Sequence, residues 1–571
     1  VMHQRAECVC TPCCICAPML ACGLHKELWA SIFSFLRHED FLLSWNVSKE
    51  WFSCFRLNVH YFEAQDHQEV DPKLLFSMFP ALRSVSLEKA KFRNSHLSTL
   101  VDHLSNLHDL RSLDVFCMPF PPQVFVRLVS LLGQLPALEQ LNIGLQPVSK
   151  AISEVCFLLE KPNHTLRELN LSVMDDPSAV LEPLADALKR NTSLEVLSLE
   201  DNELRSLGSV ISRLLAENGG RWRKLNLAKG DLDEVDFLAL APALEECIML
   251  QELRIGANNL GEQGSRVIGE VVAKLPHLRS FSFPNVHVPV DHLLSCARDN
   301  TSLRSVEFTC DEFPLSVTAA ASLCGLLERE SSPLVSLECS LLCDPAPESL
   351  VNAFHKQRLT KLVFSGDISF PLVISAVQGS AACLQHLEII STQVYGDLAL
   401  SEMTAGLEAV FSASRLTHLP LHTLRIEGIP LPTPLIQGLA DWLSNGCCPL
   451  QHLSLRECSL RSSHATSLAQ ALPSNQKLRV LELDRNLIED EAFLELAHCL
   501  RGQTSLERLT MSGNKGAKPG VEALLDTFFK SQTFLSLNVA SQVCNTREFK
   551  NLCNHVAGRK NKFTAHTLII M

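Results

Sequence analysis

Leu194-Glu195-Val196-Leu197-Ser198-Leu199-Glu200-Asp201-Asn202 is the stretch that decides how this 571-residue chain is read. Apolar residues hold its first, fourth and sixth places, and an asparagine closes it. The alternation is that of a half-buried strand: Leu197 and Leu199 on one side, Val196, Ser198 and Glu200 on the other. Leu250, Leu253 and Ile255, followed by Asn258, make a second copy. The opening apolar residue recurs every 28 residues at Leu82, Leu110, Leu138, Leu166, Leu194, Trp222, Leu250 and Leu278. It drifts through Leu303, Leu334, Leu359, Leu384 and Leu421, then returns to 28 at Leu450, Leu478, Leu506 and Phe534, giving seventeen copies.

Between copies the spacing turns helical. Leu204, Leu207, Val210, Ile211, Leu214 and Leu215 fit one helix face, and Asn218-Gly219-Gly220 breaks it. Ile488, Phe493, Leu496 and Leu500 repeat the pattern. One strand–helix unit cannot cover its own apolar face, but stacking neighbours can. The period therefore predicts an α/β fold, a leucine-rich-repeat solenoid over residues 82–540, with a parallel sheet inside and helices outside. Helices are wider than strands, so a horseshoe with an open concave face is expected. Residues 63–81 are expected to cap its start, with Leu74–Phe79 suited to cover the first repeat, and 541–571 to form a C-terminal cap or tail.

Residues 24–62 differ. Leu28, Ile32, Phe33 and Leu36 sit at helical spacing, Asp40 suits a helix N-cap, and Val47 to Trp51 opens a third short helix. Such a unit has more large apolar side chains than it can hide, which suits a docking module. Leu24, Glu27, Leu28, Ile32, Phe33, Leu36, Asp40, Val47, Lys49 and Trp51 stand in the order and spacing of an F-box, and the stretch resembles that family; His25 replaces its usual proline. The repeat block, of the form Leu-x-x-Leu-x-Leu-x-x-Asn-x-Leu, resembles the ribonuclease-inhibitor class. The first resemblance implies a substrate-recognition subunit of a cullin–RING (SCF-type) ubiquitin ligase. Its adaptor contacts would be Leu24, Leu28, Ile32, Phe33, Leu36, Val47 and Trp51. The alternative is a non-catalytic scaffold or inhibitor whose N-terminal helices serve only as a cap.

Residues 1–23 read as a disordered cysteine-rich leader. The apolar run from Cys8 to Leu20 is interrupted by Thr11, Pro12 and Pro18, and only Arg5 flanks it with positive charge, which weakens a signal peptide. A zinc site wants separated ligand pairs, and here the cysteines crowd together; reversible acylation is the other alternative. Cysteines at repeat core positions, such as Cys156, Cys247, Cys324 and Cys499, suit a reducing compartment, so the cytoplasm, or the nucleus, is expected. No apolar run is long enough for a membrane span.

The net charge of −13 argues against a nucleic-acid partner. Neither a metal nor a cofactor is expected, and neither is catalysis: cysteines and histidines recur with the repeats, with no Gly-rich phosphate loop and no strand-end cluster of acids. Binding should use outward strand positions. In the first ten repeats these hold Glu88, Asp114, Glu168, Glu200, Glu252, Glu307 and Glu338 against Lys224 and Arg254, a balance of −5. In the remaining seven, Glu388, Glu427, Glu482 and Asp484 face Lys361, Arg425, Arg456 and Arg508, a balance of zero, with His386 and His452 added. The N-terminal half is expected to prefer a target protein with a basic segment, through Glu168, Glu200, Glu252, Arg254 and Glu307. Tyr395 lies within the long interval between Leu384 and Leu421 and is the other candidate contact.

Overall fold

The computed structural model describes residues 60–63, 72–391, 408, 419–539 and 567–568, apart from interruptions of one to six residues. The chain divides after Leu253 into two compact units. The opening apolar residue of every repeat from Leu82 to Leu506 is 0–1% exposed. Trp222 replaces a leucine without disturbing this, because its Nε1 donates to the Leu215 carbonyl at 3.2 Å. An indole buried without a partner would be costly.

In the first unit, Tyr61–Glu63, Ser84–Ser86, Ser112–Asp114, Gln140–Asn142, Glu168–Asn170, Val196–Ser198 and Lys224–Asn226 pair consecutively, all parallel. Each step of the register is one repeat, so Leu113, Leu141, Leu169, Leu197 and Leu225 form a single buried row. A fully buried leucine contributes roughly 1.5–3 kcal/mol, so the row helps to hold the stack together. Helices such as Pro177–Leu188, Gly208–Glu217 and Glu234–Glu245 follow their strands. The helix expected from Leu204 begins only at Gly208, although Leu204 is buried too. Glycine is required there: a Cβ would lie 2.5 Å from the Asp236 Cα, and the Gly208 N–H donates to the Asp236 carboxylate at 2.9 Å.

In the second unit, eleven strands from Ser280–Phe283 to Thr567–Leu568 pair in the same parallel order. The long interval after Leu384 leaves the sheet intact, since Leu387 pairs with Leu424 and Ile389 with Ile426.

Two backbone devices explain the regular rise. Seven residues after the opening apolar position, the chain turns left-handed: Cys117, Leu145, Val173, Asp201, Lys229, Ala257, Asn285, Glu457 and Arg485 have φ of 51–58°. That conformation is rare for a non-glycine residue, and for Val173 it is an outlier. It is held because the N–H of Val173 donates to the Glu200 carbonyl (3.2 Å) and that of Asp201 to Ala228 (3.0 Å), tying each turn to the next repeat. The closing asparagine is the second device. Asn486, buried, donates to the carbonyls of Leu455 (2.8 Å) and Leu483 (2.9 Å) and accepts from the N–H groups of Cys458 (2.9 Å) and Leu460 (3.0 Å). Buried backbone groups need such partners. Where cysteine takes this place, the Cys458 thiol donates to the Ile426 carbonyl instead, at 3.2 Å.

Strand pairing continues at both ends of the described repeats. Tyr61–Glu63 is a strand paired to Ser84–Ser86, so strand pairing runs across the expected boundary at residue 62. Pro72–Met78 is a helix that buries Leu75 and Phe76. In the C-terminal tail, Thr567–Leu568 joins the sheet. The F-box-like positions Leu24, Leu28, Ile32, Phe33, Leu36, Val47 and Trp51 lie outside the described residues, as do the cysteine-rich leader and Tyr395.

Candidate functional site

Strand alternation leaves one row of half-buried side chains on the open side of each sheet. In the second unit the register aligns Glu307, Glu338, Val363, Glu388, Arg425, Ser454, Glu482 and Thr510 on consecutive strands. The C-terminal part of this face neutralises itself. Arg425 hydrogen-bonds Glu427 and lies 3.7 Å from Glu388. Asp484 accepts from the Thr510 hydroxyl (2.6 Å) and the Ser512 N–H (2.6 Å), and Arg456 lies 3.8 Å away. His452, 3.6 Å from Glu482, and the Ser454 hydroxyl, donating at 2.9 Å, draw the Glu482 carboxyl down to about 2.

The beginning of the row is different. Glu307 and Glu338 are direct partners on neighbouring strands, two carboxylates side by side. Glu307 accepts only from the Ser282 hydroxyl, at 2.7 Å, among the described residues. Glu338 has Lys361 at 3.5 Å. Burial and then the charge of Glu307 push the Glu338 carboxyl up, and Lys361 only partly offsets them. Like charges opposite one another cost free energy that an incoming cation would recover.

In the first unit the expected acids are less available than their sequence suggests. Glu200 lies 3.2 Å from Lys229 and accepts from Asn226 at 2.9 Å, and Glu252 lies 3.5 Å from Lys224. Lys229 escapes a strand-position count because it sits at the left-handed turn just past the strand. Glu168 has no ion-pair partner among the described residues. Arg254, in the second unit, is exposed.

Four buried or half-buried thiols are unsuited to nucleophilic chemistry. Burial pushes Cys156 and Cys448 up to about 11 and Cys247 and Cys458 up to about 12, whereas a nucleophile needs a lowered value. Among the described residues no cluster of His, Cys, Asp and Glu could hold a metal ion, and no helix is long and apolar enough to cross a membrane. The glycosylation-type sequons at Asn191 and Asn300 are structural. Asn191 donates to the Leu159 carbonyl at 2.9 Å and accepts from the Leu194 N–H at 2.8 Å; Asn300 donates to Val272 at 2.6 Å.

These repeats have known relatives. The chain is similar to ribonuclease inhibitor. The pig protein is 24% identical over 414 residues, which are 70% of this chain and 78% of that protein. Leucine-rich repeat-containing protein 14 of Xenopus laevis is 29% identical over 39% of this chain, and mouse NACHT, LRR and PYD domains-containing protein 14 is 25% identical over 65% of it. The matches span only 40% and 38% of those two relatives' own lengths. No family model matches the chain.

Proposed function

We propose that this chain is a non-catalytic binding scaffold that holds a partner protein against the open face of its sheets. The observation that carries this reading is the Glu307–Glu338 pair: two adjacent, half-buried carboxylates, with one lysine near them, on a row that is otherwise self-neutralised. A basic segment of a target protein would supply the missing cation, and Glu168 and Arg254 are further contacts on the open strand faces. Similarity to an inhibitor, a protein that acts by binding, supports the same reading. Buried free thiols suit a cytoplasmic or nuclear setting. The test is surface plasmon resonance against a ribonuclease and against a lysine-rich peptide. The double variant E307K/E338K is expected to lose both signals, and retention of both would reject the face.

A second reading keeps one specific observation in its favour: ten positions between Leu24 and Trp51 in F-box order. On that reading the chain recruits its target to a ubiquitin ligase, with Leu24, Leu28, Ile32, Phe33, Leu36, Val47 and Trp51 on the adaptor subunit of the cullin complex. Placing a charge in an apolar docking surface costs several kcal/mol, so Ile32→Asp, Phe33→Asp or Trp51→Asp should abolish co-purification with the adaptor. Absence of the adaptor from the wild-type preparation would leave the scaffold alone.

A further inference from the structure

Among the described residues of the first unit, the column of left-handed turn residues opens with Cys117, Leu145 and Val173, at φ of 58°, 55° and 57°. The backbone there ties one repeat to the next: the Cys117 N–H donates to the Gly144 carbonyl at 3.2 Å, and the Leu145 N–H to that of Ser172 at 2.8 Å. The N–H makes such a bond whatever the side chain is, and later turns in the chain carry Asp201, Lys229 and Asn285. Glycine, asparagine and aspartate adopt this backbone most readily, whereas a bulky or β-branched residue resists it. Consecutive repeats therefore keep turn residues that are both strained and apolar. Leu145 is 44% exposed, Cys117 is exposed and Val173 is half-buried. Backbone strain kept where another residue would relieve it clusters at binding surfaces.

An aromatic ring lies beside this strip. Phe116, half-buried, lays its ring over Gly144: a Cβ on that glycine would sit 2.7 Å from the ring. Glycine leaves the ring its place, and Phe116, Leu145 and Val173 together make an apolar platform at the ends of the strands. Acids border it. Asp201 is the next turn residue after Val173, exposed and without an ion-pair partner among the described residues. Asp175, two residues past Val173, is exposed as well and accepts from the Ser149 N–H at 2.9 Å. Two bases of these repeats are engaged elsewhere: Lys229 lies 3.2 Å from Glu200, and the charge of Lys150 acts on Asp176.

We propose that this platform docks a segment of a partner protein in which apolar side chains stand beside a lysine or arginine. The apolar side chains cover Leu145, Val173 and the Phe116 ring, and the cation pairs with Asp201. A second copy of the chain fits less well, because it brings the same acids to the contact. The Glu307–Glu338 pair belongs to the second unit and recognises charge alone, so the platform is tested apart from it.

The probe is a fluorescein-labelled peptide of phenylalanine and leucine with two lysines on either side, compared with the peptide that carries alanine in both apolar places. Fluorescence anisotropy with the full chain reads the difference. The apolar peptide should bind about tenfold more tightly than the alanine one, as an apolar anchor at an interface does. E307K/E338K should leave that difference in place, and L145N/V173N should abolish it. L145N/V173N should also keep or raise the melting temperature, since asparagine tolerates the left-handed turn. D201N should weaken the apolar peptide without touching the platform. Equal affinities of the two peptides for the wild type, or a difference that survives L145N/V173N, would overturn the site, and full affinity in D201N would overturn its choice of a cationic partner. A wild-type dimer in sedimentation velocity that L145N/V173N dissolves would give the platform to a second copy instead.

Discussion

Two stretches of the second unit's sheet both carry carboxylates along their strands and behave differently. On the strands Ser305–Thr309 and Ser336–Ser340, carboxylates face each other; on Thr423–Glu427, His452–Arg456 and Val480–Glu482 they face arginine, histidine and serine. The second arrangement spends its charge on the fold. The first leaves charge for a visitor. Net charge over a face therefore says less than which side chains already hold one another.

The comparison breaks most directly at its acidic end. E307K/E338K should weaken a lysine-rich probe by about a hundredfold, in line with about 3 kcal/mol for losing a close charge pair across an interface. The melting temperature should fall somewhat, because the Glu–Glu contact becomes a Lys–Lys contact beside Lys361, so the fold of the variant is checked by circular dichroism before binding is compared. In the wild type, binding should strengthen as the pH rises through the raised Glu338 carboxyl, since the cation needs it ionised. A flat pH profile would remove Glu338 from the contact.

At the self-neutralised end the expected effect is on stability. Arg425→Ala leaves Glu388 and Glu427 half-buried beside each other without their cation and should cost about 1–2 kcal/mol in chemical denaturation. Probe binding should be unchanged; a binding loss as large as that of E307K/E338K would erase the distinction between the two regions.

His452→Gln sharpens the same point through pH. The Glu482 carboxyl sits at about 2 in the folded chain against an ordinary 4.5. A lowered acid contributes stability that is complete above its ordinary value and disappears as the pH falls toward 2. The variant should lose up to about 1.4 kcal/mol of that contribution, the equivalent of one pKa unit, seen as earlier acid unfolding. The smallest effect belongs to the exposed helix pair Glu182–Arg213: E182Q should change stability by about 0.5 kcal/mol or less, and a larger loss would mean that surface pairs, too, hold the stack.

How much was legible beforehand follows from the range of each interaction. Leu113, Leu141 and Leu169 could be placed in the core from their spacing, because each meets its counterpart one period away. The pairing of Glu200 with Lys229 could not, because it joins a strand position to a left-handed turn of the next repeat. The first-unit acids are accordingly less free than their strand positions imply.

The sequence by itself determined the repeat, the buried face of each strand and the asparagine that closes most of the clear copies, since all three are fixed by local alternation and a constant period. Only the tertiary structure decided which charges remain for a partner, because that depends on side chains brought within about 4 Å from different repeats. Stacking sets those distances, and no single repeat contains them.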